Sequence, residues 1–457
     1  MLDFLIQMQY NISIQCRRKL ENVYGSPNKR TVLEMKMMKK LLAISLALLC
    51  TAALFAACGS KDKKSSKAAA GSGGAAESNS PDGLKAPVSK NKLDVKDGLT
   101  ENMLIRSVHS EGSKARLAAK LRKAKAGEQL SVVFLGDSIT AGSSADTAHQ
   151  YTNVVSEWWK QSISEKTVFH NAGIGATDSY YAAHRVQRDV FAYDPDVIFI
   201  EFINDRDDSH YKEAMESLVR KCLARPNDPA VILIEMTLKG GGNAQGAHSA
   251  VAAHYGLPVI SYHDAVAPEV GAGNFSFDDI SPDGTHPNNI GHGWIADMIK
   301  NFIAPVYSEA DNITEEVKAF DPGTAPLTDN RYESASIIDS TDSTVCTDKG
   351  SFTEGATPYP FKNGWRTENG GSITFEMEFR NLGMCFYKST DGKTGSVKVS
   401  VDGTMAGLVN GNFPNGWGSY GASTELYTSD SPAKHTVTVT VLEGDRQNFE
   451  ILEWLVS

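Results

Sequence analysis

Apolar positions follow different periods in different stretches of this 457-residue chain. Lys39 and Lys40 open onto a continuous apolar run, residues 41–57, that ends at Cys58. From 59 to 86 the chain is mostly Gly, Ser, Lys, Ala and Asn. Such a stretch buries too little surface to offset its ordering entropy and predicts a flexible tether. Around 113–126, Leu117 and Leu121 recur four apart among Lys and Arg, the period of an amphipathic helix. Residues 130–135 then form a short β-branched run that ends in Gly136-Asp137-Ser138, a buried strand followed by a tight loop. The alternation repeats, with strands predicted at 167–170, 196–202, 230–236 and 259–261. Helices are predicted at 150–163, 178–191, 209–224, 245–256 and 290–302. This order predicts an α/β fold, a mostly parallel sheet with helices on both faces, whose ligands gather at the carboxyl ends of the strands.

Beyond about residue 305 the period drops to two. Strands are predicted at 372–379, 383–388, 396–402, 425–428, 435–442 and 449–456, separated by Gly-, Asn- and Asp-rich turns. The expected architecture there is an antiparallel β-sandwich or jelly roll. The resulting plan is an upstream segment and signal at 1–57, a tether at 58–88 and an α/β domain with its lead-in at 89–304. A polar linker at 305–330 then leads to a C-terminal β domain at 331–457.

Charge and cysteines narrow the setting. The formal net charge is −10, which argues against a nucleic-acid partner. The basic start and short apolar run read as an export signal. Leu54-Phe-Ala-Ala-Cys58 resembles a bacterial lipoprotein box, which implies lipidation of Cys58 and display on the extracytoplasmic membrane face, or secretion. Residues 1–34 precede this signal, and a translation start at Met35, Met37 or Met38 is expected. None of the six cysteines is spaced C-x-x-C, so a zinc ribbon or redox motif has no support. In an exported protein Cys346 and Cys385 are candidates for a disulfide.

The candidate chemistry begins at Phe134-Leu-Gly-Asp-Ser-Ile-Thr-Ala-Gly142. A serine just past a parallel strand presents its hydroxyl at the ligand edge beside free backbone N–H groups, and Gly136 and Gly142 permit close approach and unusual dihedrals. Alone, it is equally a turn or helix-cap serine. Asp283-Gly-Thr-His286-Pro287 supplies what nucleophilic acyl transfer needs, a base and a carboxylate that orients it, from one short loop. His248, His254 and His263 form no recognised ligand set, and no metal or other cofactor is called for.

With these residues in view, the chain resembles the SGNH, or GDSL-type, esterases and lipases. Gly136-Asp-Ser-Ile-Thr140 matches the family's first motif and Asp283-x-x-His286 its last. The family's Asn-x-x-x-x-Gly segment corresponds to Asn171-Ala-Gly-Ile-Gly-Ala176, with the register of the oxyanion N–H open between Gly175 and Ala176. Its Gly-x-Asn-Asp corresponds to Phe202-Ile-Asn204-Asp205, where Phe202 either narrows the acyl pocket or reshapes a wall. The resemblance implies Ser138 as nucleophile, His286 as base and Asp283 as its partner. It also implies oxyanion donors from Ser138, Ala176 and Asn204. The β domain and the export signal favour an acylated polysaccharide over other small-molecule esters, with removal of O-acetyl or short acyl groups expected. Two alternatives are a lipase or phospholipid esterase, and a glycan-binding surface protein with a degenerate hydrolase domain. Trp365, Trp417 and Tyr420 lie in Gly-rich stretches, where they stack on sugar rings or else fill the sandwich core.

Overall fold

A computed structural model describes residues 85–457, which fall within one compact unit. The export signal, Cys58 and nearly all of the tether lie outside the described residues.

The α/β part begins with helix α1 (Glu101–Ser107), strand β1 (Val108–Ser110) and helix α2 (Ala115–Lys125). It continues through β2 (Ser131–Gly136), α3 (Tyr151–Ser162), β3 (Val168–Gly173), α4 (Ser179–Asp189), β4 (Val197–Glu201) and α5 (Ser209–Leu223). It closes with β5 (Ala230–Glu235), α6 (Gln245–Tyr255), β6 (Val259–Ser261), α7 (Tyr262–Gly271) and α8 (Asn289–Glu309). The sheet order is β1-β6-β5-β4-β2-β3, parallel except for β1, which runs antiparallel to β6. The chain steps from β2 outward to β3 and then crosses back to β4 on the other side of β2. That reversal opens a crevice at the carboxyl end of β2, between the loops after β3 and β4.

Alternating residues of the strands face opposite layers. Val132, Phe134, Phe199 and Ile232 pack with Leu117 and Leu121 of α2, Val155 and Trp159 of α3, and Trp294 and Ile299 of α8. Val133, Leu135, Ile198, Ile200 and Leu233 pack with Val186 of α4, Met215 and Leu218 of α5 and Val251 of α6. Helix starts are set by side-chain caps: Asp178 accepts from Tyr181 N–H at 2.8 Å to begin α4, and Asn288 accepts from Ile290 and Gly291 N–H to begin α8.

The C-terminal part is all antiparallel. It comprises β7 (Ser336–Ile338), β8 (Cys346–Asp348), β9 (Thr353–Glu354), β10 (Trp365–Thr367), β11 (Ser372–Lys388), β12 (Ser396–Val401), β13 (Thr404–Asn410), β14 (Tyr420–Val441) and β15 (Phe449–Val456). The segments expected at 372–379 and 383–388 are one strand, as are 425–428 and 435–442. β11 and β14 pair along their length and bend together at register shifts between Phe379 and Gly383. Trp454, on the strand paired with the second half of β11, meets Phe375 of its first half edge-on at 5.2 Å. The sheet thus closes over a core of Trp365, Phe375, Val397, Val437 and Trp454, a β-sandwich.

Two expectations are corrected here. Cys346 and Cys385 are free thiols. Cys346 lies opposite Phe375, and Cys385 is ten residues farther along the same strand, roughly 30 Å of extended chain. Trp365, offered as a glycan contact, is 1% exposed and meets Phe375 edge-on at 4.8 Å, so it is a core residue.

The stretch read as a linker is strapped down. α8 runs on to Glu309, and beyond it Glu216 of α5 accepts from Thr328 N–H at 2.7 Å while Arg220 donates to the carbonyls of Pro322 and Thr324. Tyr332, Phe361, Cys385, Leu452 and Leu455 join the same apolar cluster as α4 and α5. Around that seam Tyr181 donates to Glu453 at 2.6 Å, and Arg188 pairs with the same carboxylate.

Candidate active site

β2 ends at Gly136, and the chain turns at once to place Ser138 over the crevice. The turn depends on two glycines. A Cβ at Gly136 would overlap Thr140 Oγ1, and Gly142 sits at φ +95°, which disfavours any other residue. His286 follows α7 in a loop closed by Asp283, whose Oδ1 accepts the N–H groups of Thr285 and His286 at 2.9 and 2.8 Å. Those bonds turn the imidazole so that Nδ1 meets Asp283 Oδ2 at 2.6 Å and Nε2 meets Ser138 Oγ at 2.8 Å. Partial burial would raise the Asp283 pKa, but the bonds from the His286 ring and the backbone hold the carboxyl below its usual range. The three side chains singled out in sequence are therefore brought together, 148 residues apart at the widest.

The oxyanion candidates line the adjoining loops. A Cβ at Gly175 would stand 3.8 Å from Ser138 Cβ, so this turn lies against the serine. Ala176 has φ +62°, the left-handed conformation for which a glycine is the usual choice. Asn204 donates one amide hydrogen to Thr177 O at 2.9 Å, and its second hydrogen remains available. Phe202 is 4% exposed and packs in the cluster with Tyr180, Tyr181 and Met215. It is a core side chain and not a pocket wall.

Because Ala176 holds a conformation that costs an L-residue roughly 1–2 kcal/mol, Ala176→Gly is expected to raise the unfolding free energy. The gain is about 0.5–1 kcal/mol after the entropy of the extra glycine is offset. The N–H is retained, so ester turnover should stay near wild type. Denaturant melts and steady-state rates check both, and a destabilised variant would contradict the account.

Several residues beneath the loop carry no obvious sequence signal. Asp137 is wholly buried and accepts from the N–H groups of Ile139 and Asn204 at 3.0 and 3.1 Å, tying the serine loop to the asparagine loop. Thr140 Oγ1 donates to Glu201 Oε2 at 2.8 Å and lies 2.8 Å from the Tyr151 hydroxyl. Burial pushes Asp137 up to about 7, with the nearby Asp205 adding to the rise, and burial together with repulsion from Asp137 raises Glu201. Arg185 of α4, fully buried, donates to the carbonyls of Gly136 and Ala172 at 2.9 and 2.8 Å and so clamps the ends of β2 and β3. His292 accepts from Tyr151 N–H and reaches Ser143 O, the pattern of a neutral ring, and burial lowers it to about 4.

Of the other histidines, His254 bonds to Ala325 O, His263 lies beside Thr237 and Asn243, and His248 is buried between Glu235 and Asp205. Among the described residues no three His, Cys, Asp or Glu side chains form a group that would hold a metal ion. In the β-sandwich, Trp417 is 73% exposed and stacks on Tyr420 with ring centroids 4.7 Å apart; Phe413 meets both edge-on.

Comparison with known proteins places this geometry. Residues 134–294 match the model of the GDSL-like lipase/acylhydrolase family. A two-domain esterase active on acetylated mannans is 32% identical, with a TM-score of 0.71 over 77% of this chain and 97% of that one. Its structure co-crystallised with mannopentaose gives 32% identity and a TM-score of 0.70, over 77% and 96% of the two chains. No curated protein matches. The chain therefore belongs to the GDSL-like lipase/acylhydrolase family and is an ester hydrolase, an α/β catalytic fold joined to a β-sandwich.

Proposed function

We propose that this enzyme removes O-acetyl or other short acyl groups from an extracellular polysaccharide, with acetylated mannans the leading class, through Ser138, His286 and Asp283. The observation that carries this is the unbroken hydrogen-bonded line from Asp283 through His286 to Ser138 at the sheet's crevice. His286 Nε2 takes the Ser138 proton as Oγ attacks the ester carbonyl. Asp283 stays ionised and stabilises the imidazolium. Charge on the carbonyl oxygen meets the N–H of Ser138, the N–H of Ala176 and the free amide hydrogen of Asn204. Each such donor is worth roughly 3 kcal/mol in the transition state. His286 returns the proton to the leaving sugar hydroxyl, and then activates water against the acyl-enzyme. This chemistry calls for no metal.

The glycan preference is supported by the mannan-active relative and by the Trp417–Tyr420 stack, whose exposed ring faces suit the apolar face of a sugar. Trp417→Ala is expected to raise KM for acetylated oligosaccharides several-fold, on the order of 1 kcal/mol, and to leave an aryl acetate unaffected. Acetate release from acetylated mannan compared with release of long-chain acids from lipid esters decides the class. Preference for long chains would replace the glycan reading with a lipase.

Export through the signal at 39–57 and lipid attachment at Cys58 complete the proposal and put the enzyme where polysaccharides are met. Membrane fractionation of wild type and Cys58→Ala tests the anchor, with loss of membrane association expected for the variant.

A further inference from the structure

Glu235 ends β5, His248 lies on α6 and Asp205 follows Asn204 in the loop after β4. All three are nearly fully buried. His248 Nδ1 lies 3.0 Å from Glu235 Oε1, and Nε2 lies 3.0 Å from Asp205 Oδ2. The other oxygen of Asp205 accepts from Ser179 N–H, the first residue of α4, at 2.9 Å. One residue back, Asn204 holds Thr177 O at 2.9 Å. The turn that carries Gly175 and Ala176 is therefore fastened to the Asn204 loop at two points, and His248 backs one of them.

We propose that His248 is a positioning residue for the oxyanion-binding loops, holding Asp205 so that Asn204 and the Ala176 turn keep their mutual spacing. The inference rests on the oxyanion role assigned to Asn204 above. Burial disfavours a charged ring, but Glu235 and Asp205 together outweigh it and push His248 up to about 10. The ring is thus an imidazolium between two carboxylates at neutral pH. Remove its charge and Glu235 and Asp205 face each other unneutralised. Asp205 sits on a loop and Glu235 on a central strand, so Asp205 gives way and takes Asn204 with it. Asp178, which caps α4 and is itself pushed up to about 7 by burial and by Asp205, lies on the same turn and would shift with it.

His248→Gln tests this with a short-chain aryl acetate, rates being normalised to the sites titrated by a fluorophosphonate. Misplacing a transition-state donor should lower kcat roughly 10- to 100-fold with KM within about twofold. A merely structural role lowers the number of titratable sites and leaves kcat per site unchanged, which overturns the proposal. The same substitution in an Asn204→Ala background should cost less than about threefold, because the donor it positions is gone. Equal losses in both backgrounds also overturn it, while leaving the assignment of Asn204 intact. An Asn204→Ala enzyme with wild-type kcat removes the oxyanion assignment itself, and this inference with it. Glu235→Gln, which keeps an acceptor for the ring, should move kcat in the same direction by a smaller factor. It decides the matter if His248→Gln does not fold, and an unchanged kcat per site would count against the proposal.

Discussion

Ser138→Ala is expected to lower kcat for a short-chain aryl ester by roughly 10⁵-fold or more, with the unfolding midpoint almost unchanged. The hydroxyl's hydrogen bond is to His286, and the turn that positions it is held by other groups: Gly136, the Asp137 carboxylate and the Arg185 clamp. Alanine fits that turn without disturbing it. Loss of the oxygen removes the acyl-enzyme route altogether, and what remains is the contribution of the oxyanion loops to direct attack by water. Steady-state rates beside a thermal melt separate the two effects. A variant that keeps more than a few per cent of wild-type kcat would show that another group attacks the carbonyl.

A chain ending at residue 329 is expected not to yield a soluble, active hydrolase, although it contains Ser138, Asp283, His286 and every proposed oxyanion donor. Tyr332, Phe361, Leu452 and Leu455 are all lost, and each is buried against the cluster that includes α4 and α5. Four large side chains at roughly 1.5–3 kcal/mol each amount to about 10 kcal/mol. That is comparable to the whole stability of an ordinary domain, about 5–15 kcal/mol. The loss falls on α4, whose Arg185 fixes the ends of β2 and β3 and whose first turn adjoins Ala176. Soluble yield, near-UV circular dichroism and aryl acetate turnover of residues 85–329 provide the check. A soluble monomer with wild-type kcat would mean that the β-sandwich is an appendage and not part of the catalytic unit's support.

The contrast between these two expectations reflects what a sequence carries. The strand and turn around Ser138 are local, so the β-branched run and its glycines disclose them directly. Asp283 and His286 are legible for the same reason, being three apart in one loop. The parallel sheet follows from alternating periods. Elements that depend on distant partners are not legible in this way. β11 and β14 read as pairs of short strands because Asn381, Gly383 and the polar stretch 429–434 interrupt their alternation, whereas the structure carries pairing through the bend. Trp365 and Trp417 both follow a glycine, yet one packs against Phe375 and the other stands in solvent, since register and not local composition decides burial. Phe202, which replaces a family glycine, turns away from the crevice into the core shared with Tyr181, and its side-chain direction was not available from its position in a motif. The buried carboxylates of Asp137 and Glu201, and the Arg185 clamp, depend on groups that are far apart in the chain.

The central claim is that Ser138 is the nucleophile, and covalent labelling tests it most directly. Intact protein incubated with a fluorophosphonate should gain the mass of a single phosphonyl group as ester turnover falls. Peptide mapping should place that group on Ser138, and prior loss of the His286 ring in His286→Ala should abolish labelling. Stoichiometric labelling at another residue, or complete inhibition with Ser138 unmodified, would contradict the account.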